Sequence, residues 1–211
     1  MPSMLSSEFK LLDAFLKAPS SELYGRQIER LTKTSHERTL AYLGKLVNDK
    51  ALFREQKGRQ VFYRLNKQSE MAQKALSVAE LSNKIDFIRK NERGYAIQRL
   101  VSEIVQAAGA EIYFVILFGS VARNQAQAAS DIDLLFVLIQ NGKTRAKIDG
   151  FVRRMVIATG DRFSFHSVTL AELEKQWLKG PVYKNIWDER ILLFGEENFW
   201  KFVLRVGEPH G

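Results

Sequence analysis

Two short polar motifs, each joined to an apolar run of strand length, constrain this chain more than any other feature. The run at residues 111–118 stops at Gly119 and Ser120, and a second run begins with Asp131 and Asp133. Unbroken runs of this length, rich in β-branched and aromatic residues, predict buried β-strands. Residues 121–127 between them predict a short helix. The sequence therefore predicts two core strands with polar residues at their ends.

Each motif suits a different ligand. The first N–H groups of the short helix would point back toward Gly119 and Ser120, and glycine lets an anion approach the backbone closely. Asp131 and Asp133 are two residues apart on a strand, so both carboxylates project from one face. Mg²⁺ prefers one or two carboxylates together with waters and phosphate oxygens. We therefore expect an anion cradle beside a magnesium site; the alternative is a glycine turn followed by a solvated acidic strand start.

The ordered combination Gly119-Ser120, ten residues, Asp131-x-Asp133 resembles the signature of the minimal nucleotidyltransferase branch of the DNA polymerase beta superfamily. The resemblance covers residues 95–200 and includes Glu189-Arg190-Ile191-Leu192-Leu193-Phe194-Gly195 near its end. It implies transfer of a nucleotidyl group from a nucleoside triphosphate, ATP first among the candidates, to a hydroxyl acceptor. The cofactor it implies is Mg²⁺ (or Mn²⁺).

The resemblance assigns a role to each motif residue. Asp131 and Asp133 would be the catalytic carboxylates that hold the metal ions. Gly119 and Ser120 would hold the β- and γ-phosphates. Arg123 is a candidate for a further phosphate contact, with a surface ion pair as the alternative.

The chain departs from the family pattern at a third carboxylate, which the family places on the following strand. Ser164 occupies that position here, and a neutral hydroxyl is a poor substitute for a metal-binding anion. Asp161 is the nearest carboxylate, but its parity puts it on the opposite strand face unless a bulge intervenes. His166 shares the face of Ser164, as a candidate base or as a structural histidine.

Three hypotheses about the activity of the chain remain open. The first is an active nucleotidyltransferase. The second is a catalytically degenerate, nucleotide-sensing transcription regulator, because loss of the third acid removes a metal ligand. The third is an antitoxin-like transferase that modifies a partner protein, since such acceptors are known for this branch.

In the N-terminal part, apolar periodicity predicts helices at 7–16, 25–32 and from about 34 to 49, with Leu31 and Leu40 among the inward residues. Alternation over 51–65 predicts a β-hairpin. These elements, together with the segment Leu23-Tyr24-Gly25-Arg26-Gln27-Ile28, resemble the winged helix-turn-helix domain of bacterial and archaeal transcription regulators over residues 6–66, in which the hairpin is the wing. The third helix would enter the major groove and the wing tip would meet phosphate or the minor groove. The implied contacts to double-stranded DNA come from Ser35, His36, Arg38, Thr39 and Tyr42 on the helix and from Lys57 and Arg59 on the wing.

The charge distribution favours a polyanionic partner for this domain. Residues 1–67 hold 13 Lys and Arg against 7 Asp and Glu, a net charge of +6, whereas the other 144 residues hold 19 against 17. A basic small domain is typical of nucleic-acid binding. The rival interpretation is a winged helix used for protein contacts.

The expected fold class is mixed α and β, an N-terminal winged helix-turn-helix plus a C-terminal α/β nucleotidyltransferase fold. The predicted domains are 1–67, a connector helix at 68–92 and a nucleotidyltransferase-like domain at 93–205. The connector, with Met71 and Ala75 among the apolar residues of its inward stripe, is a candidate homodimer surface or a packing element. In the C-terminal part we expect helices at 95–108 and 143–159, a strand at 162–168, and three packed tryptophans, Trp177, Trp187 and Trp200.

Composition excludes several classes of protein. The chain has no cysteine, which excludes disulfides and thiolate zinc sites. No apolar run approaches the ~20 residues of a membrane span, and the start does not resemble a signal peptide. We therefore expect a cytoplasmic protein with no membrane partner.

Overall fold

The computed structural model describes residues 9–127, 130–140 and 144–209. The chain divides into two compact units, one of residues up to Ser82 together with Trp200–Glu208 and one of Asn83–Phe199. Each unit contains its own β-sheet. The fold is therefore a mixture of helices and strands, as the sequence predicted. None of the helices in these ranges is long and apolar enough to cross a membrane.

The first unit is built on a three-stranded antiparallel sheet. Its elements are a 3₁₀ helix Phe9–Phe15, β1 Glu22–Tyr24, α1 Gly25–Thr32, α2 His36–Asn48, β2 Leu52–Lys57, β3 Gln60–Leu65 and the first part of α3 Glu70–Lys90. β3 lies between β1 and β2. Gly58, at φ 61°, turns the chain from β2 to β3, so the predicted hairpin is present. The first helix, predicted from residue 7, is 3₁₀ from Phe9, and residues 7 and 8 lie outside the described ranges.

Two helix faces in the first unit differ from the prediction. Leu31 and Leu40, predicted to face inward, are 61% and 48% exposed. The neighbouring Thr32 and Thr39 are buried instead. Each threonine hydroxyl donates a hydrogen bond to the carbonyl four residues earlier, which satisfies the buried oxygen. Apolar periodicity misses this because a threonine counts as polar although its bonded side chain packs like a small apolar one.

The connector helix α3 differs from the prediction at its start. Met71, predicted to face inward, is 39% exposed, whereas Ala75, also predicted to face inward, is buried together with Ala72, Leu76 and Ala79. Three of these four buried residues are alanines, so the backbone packs closely on this face of the helix. The prediction was wrong for Met71 because the buried stripe passes through Ala72, whose small side chain gives a weak signal in an apolar pattern.

The second unit holds a four-stranded mixed sheet in the order β6-β5-β4-β7. Its elements after α3 are α4 Gly94–Ala108, a 3₁₀ turn Gly109–Glu111, β4 Ile112–Phe118, α5 Gly119–Ala122, β5 Ile132–Leu138, α6 Thr144–Thr159, β6 Phe163–Thr169, α7 Leu170–Gln176, α8 Pro181–Glu189, β7 Ile191–Phe194 and α9 Glu196–Val206, which continues into the first unit. β4 is antiparallel to both its neighbours, and β5 is parallel to β6. The predicted start of α6, Lys143, lies outside the described residues.

The short helix between the two motifs is shorter than predicted. It spans Gly119–Ala122 rather than 121–127. Asn124 adopts φ 54°, a left-handed conformation that an α-helix cannot continue through. The motif residues Gly119 and Ser120 are therefore themselves the first residues of the helix.

The three tryptophans are packing residues, as predicted. Trp177, Trp187 and Trp200 are each at most 1% exposed. In the second unit the ring of Trp187 meets Trp177 edge-on at 6.3 Å and stacks on Phe199 at 6.0 Å. The guanidinium of Arg190 lies 3.9 Å from the Trp187 ring centroid, a cation–π contact. This cluster fixes the end of α8, which carries Glu189.

Asp13 gives a testable pH dependence of stability. Its Oδ1 is buried with no hydrogen-bond partner among the described residues. Burial raises its pKa from 3.8 to about 6, an effect that Lys10 opposes and Glu80 strengthens. Between these pH values the unfolded chain binds fewer protons than the folded chain, so the free energy of unfolding falls as pH rises through this window. We expect Asp13→Asn to raise Tm by a few degrees at pH 8 and to change it little at pH 4.

Thermal unfolding of both proteins at the two pH values checks this. Asp188→Asn is the control, because its carboxylate is about half exposed and pairs with Lys184 on the surface. Equal Tm values for the wild type and Asp13→Asn at pH 8 would contradict the explanation.

Candidate active site

The candidate site is built around close contact between Gly119 and Asp133. Gly119 follows β4 with φ 77°, a conformation that favours glycine. A Cβ atom at this position would lie 2.3 Å from Oδ2 of Asp133. A larger residue fits here only if the carboxylate moves, so glycine is favoured both by conformation and by space.

The sheet places the second aspartate between two neighbours. Asp133 in β5 is paired with Phe118 in β4 and with Ser164 in β6. Asp131 precedes the strand and is exposed. Burial raises the pKa of Asp133, and the negative charges of Asp131 and Glu189 raise it further. The carboxylates are close enough to repel each other, which is the condition that a bound cation relieves.

The position of the family's third acid is occupied by a hydrogen-bond donor. The Ser164 hydroxyl donates to Asp133 and acts to lower its pKa, as does the nearby imidazole of His166. His166 is exposed, and its ring lies 6.4 Å from that of Phe118. Asp161 instead forms an ion pair with Arg93 at 3.3 Å. β6 therefore supplies a hydroxyl and an imidazole to this face.

Glu189, at the end of α8, is a site residue to which no sequence pattern assigned a role. Its Oε2 accepts a hydrogen bond from the Gly119 backbone N–H at 3.0 Å. Its Oε1 forms an ion pair with Nη1 of Arg123. Sequence spacing cannot reveal this contact, since 70 residues separate Glu189 from Gly119. The sequence offered one indication, which is that the stretch beginning at Glu189 resembles the family. This resemblance does not say which residue Glu189 contacts.

A cavity adjoins the carboxylates on the same face of the sheet. Phe118 and His166, which flank the site, also line this cavity of about 420 Å³. The rest of its lining is mostly apolar: Leu135, Val168, Gln176, Gly180, Val182, Tyr183 and Ile186. Ligand pockets in proteins commonly have this size and character. Its size and apolar lining therefore suit a small organic group.

The donor set is compatible with a magnesium ion. Among the described residues no group of three or more acidic, histidine or cysteine side chains is arranged to hold a metal ion. The two carboxylates of Asp131 and Asp133 are nevertheless sufficient, because Mg²⁺ is commonly bound by one or two carboxylates plus substrate phosphates and water. These residues fit Mg²⁺ bound together with a phosphorylated ligand better than a closed protein-only site.

Comparison with known proteins gives the family of this segment. Residues 101–197 match the model of the family described as Polymerase beta, Nucleotidyltransferase. This match supports the nucleotidyltransferase superfamily for the segment, and at that level it confirms the sequence resemblance. The matched residues include Gly119, Asp131, Asp133, Ser164 and Glu189. No curated protein and no solved structure matches the chain.

The predicted DNA-contacting residues on α2 differ in how far their side chains are exposed. Ser35, His36 and Arg38 are exposed at or near its start, and Tyr42 is half-buried. Nδ1 of His36 lies 2.5 Å from a carboxylate oxygen of Glu29. Thr39 is fully buried, so the prediction that it contacts DNA is wrong for this fold. Thr39 lies on the same buried stripe of α2 as Leu43 and Leu46, and its hydroxyl donates to the Ser35 carbonyl.

On the hairpin, the two predicted cations also differ. Nζ of Lys57 forms a 2.5 Å ion pair with Glu22 and lies 5.5 Å from the Phe62 ring centroid. Arg59 is exposed and forms no ion pair with the residues that the structure describes. Of the two, Arg59 is therefore the one available for a phosphate.

The contact between Gly119 and Asp133 can be tested with alanine. Gly119→Ala should destabilise the protein by more than the roughly 1–2 kcal/mol that a left-handed non-glycine residue costs, because the methyl group would also displace the Asp133 carboxylate. The measurement is the free energy of unfolding from urea titration.

Gly160→Ala is the matched control. Gly160 lies in the same unit at φ 73°, yet a Cβ there would meet nothing within 4 Å. If both substitutions cost the same free energy, the close packing against Asp133 has no energetic consequence.

Proposed function

We propose that this protein is a DNA-binding nucleotidyltransferase that uses a Mg²⁺-bound nucleoside triphosphate and a hydroxyl acceptor. The observation that carries the proposal is the contact of Gly119 with Asp133 inside a segment that matches the nucleotidyltransferase family. This contact brings the glycine turn and the paired carboxylates, which are separate in sequence, into one site.

In the proposed reaction the acceptor oxygen forms a bond to the α-phosphorus. The bond between that phosphorus and the β-phosphate bridging oxygen breaks, pyrophosphate leaves, and the acceptor hydroxyl gives up its proton to solvent water. Magnesium, when bound, neutralises charge on the attacking and leaving oxygens. Asp131 and Asp133 hold the cation, Ser120 and the turn at Gly119 face the phosphates, and Arg123 supplies a charged donor for them.

A second candidate function has a specific observation in its favour. Ser164 stands beside Asp133, where the resemblance places a carboxylate, and it donates a hydrogen bond rather than offering an anion. A site with fewer negative charges binds divalent cations more weakly. A nucleotide-sensing regulator, which binds the ligand without transferring a group, is therefore the alternative to the enzyme.

The DNA-binding part of the proposal rests on the first unit. α1 and α2 are followed by the antiparallel hairpin of β2 and β3, and this element order is the one expected of a winged helix-turn-helix. Exposed Arg38 near the start of α2 and exposed Arg59 on the hairpin offer positive charge to a phosphate backbone. The net charge of +6 over residues 1–67 supports the same partner.

Transfer activity distinguishes the two candidate functions. We expect the purified protein with Mg²⁺ or Mn²⁺ to move label from an α-labelled nucleoside triphosphate to an acceptor and to release pyrophosphate. The double variant Asp131→Asn/Asp133→Asn should lose this activity, because it removes both carboxylates that hold the cation. Acceptors tested would be the protein itself, cell-extract protein and RNA, so that the labelled product identifies the acceptor.

The possible results separate the enzyme from the regulator. Label transfer by the wild type alone supports the enzyme despite Ser164. Nucleotide binding without transfer or pyrophosphate release by either protein favours the regulator, and the absence of both binding and transfer contradicts the proposal.

DNA binding can be tested through its salt dependence. We expect Arg38→Ala/Arg59→Ala to weaken binding of a fluorescent double-stranded DNA and to reduce the slope of log K against log salt by roughly 2, one for each phosphate that is no longer neutralised. The matched control is Arg99→Ala/Lys184→Ala, which removes the same charge from helices of the second unit. Equal slopes for the two double variants would contradict the proposed interface.

A further inference from the structure

Glu189 makes two contacts that converge on the candidate site. Its carboxylate accepts the Gly119 N–H through Oε2 and pairs with Arg123 through Oε1. The glutamate side chain is 21% exposed and the arginine side chain 40% exposed. One carboxylate therefore ties the glycine turn and the arginine of the same segment to the end of α8.

The position of Glu189 carries an electrostatic cost on its own helix. Glu189 is the last residue of α8, and the C-terminal end of a helix dipole is unfavourable for a negative charge. The contacts with the Arg123 guanidinium and the Gly119 N–H offset that cost. The glutamate is thus stabilised by the site it touches rather than by the helix it belongs to.

Arg123 is held from two directions. Its Nε donates to Oε1 of Gln125 at 3.1 Å, and its Nη1 is bound by Glu189. The guanidinium is a rigid planar fork, so fixing two of its nitrogens fixes the direction of the third. A preorganised arginine of this kind binds an oxyanion with little loss of side-chain entropy.

We propose that Glu189, anchored on the Gly119 N–H, is a positioning residue for the nucleotide phosphates, which it serves by orienting Arg123. This inference rests on the proposed function. The role of Glu189 is exerted through Arg123.

The same contacts also allow the opposite effect, in which Glu189 weakens phosphate binding. The direction in which the phosphate Kd changes when Glu189 is removed distinguishes the two. A carboxylate seated on Gly119 and Arg123 could instead compete with the phosphates for these donors. Removing its charge would then tighten phosphate binding. Under the positioning role, removing it weakens binding.

The experiment measures the Kd of inorganic tripolyphosphate in the presence of Mg²⁺ by calorimetry, since this probe reports phosphate contacts without a nucleobase. The full chain is compared with Glu189→Gln, Glu189→Asp, Arg123→Ala and the double variant Glu189→Gln/Arg123→Ala. We expect Glu189→Gln to raise Kd on the order of tenfold, as loss of an outer-shell partner does at metal sites, and Glu189→Asp to restore part of the affinity. The double variant should bind no more weakly than Arg123→Ala, because the two residues act as one unit.

Asp188→Asn is the matched control. It neutralises the preceding carboxylate on the same helix, which pairs with Lys184 at 2.7 Å, and it should leave Kd unchanged. Thermal unfolding of each variant separates a loss of folding from a loss of binding, since a merely structural role would lower Tm without the non-additivity at Arg123.

Tighter or unchanged binding by Glu189→Gln overturns the inference, and so does an additive loss in the double variant. If the wild type binds and Asp131→Asn/Asp133→Asn abolishes the binding while Glu189→Gln does not weaken it, only the inference fails. If the wild type binds neither tripolyphosphate nor any nucleoside triphosphate with Mg²⁺, the proposed function fails with it.

Discussion

The absence of a side chain at Gly119 is the constraint on which the candidate site depends. Asp133 lies so close to this residue that even a methyl group would overlap its carboxylate. The close approach lets the end of β4 and the start of β5 present a backbone turn and a carboxylate to the same space. Ser164 and Glu189 each contact one member of this pair: Ser164 donates a hydrogen bond to Asp133, and Glu189 accepts one from the Gly119 N–H.

The negative charges of the site are only partly neutralised by neighbouring positive charges. Asp131 and Glu189 both act on Asp133 as like charges, and burial is the larger effect on its pKa. Arg123 neutralises Glu189, and Ser164 stabilises the ionised form of Asp133 with a hydrogen bond. Among the described residues, the Asp131–Asp133 pair has no comparable lysine or arginine partner. Under the proposed function this pair binds a divalent cation. A third carboxylate would add negative charge to the site, and the neutral Ser164 does not.

The secondary structure was predicted correctly where a single sequence pattern, such as a continuous apolar run, determined it. The runs that became β4 and β5 were recognised because burial on both faces leaves no polar alternation to interpret. Leu31 and Leu40 were placed wrongly because two threonines, with their hydroxyls bonded to the backbone, took the buried positions. The short helix was predicted too long because the left-handed Asn124 has no counterpart in a hydrophobic pattern.

By itself the sequence determined the two motifs, their spacing and their attachment to core strands, because these are local properties of composition and order. It also determined that a serine stands where the family resemblance expects an acid. Only the tertiary structure decided that Glu189 binds the Gly119 turn and Arg123, and that Asp161 pairs with Arg93. Contacts of this kind join residues far apart in the chain, and they are fixed by sheet order and helix packing, which no local pattern encodes.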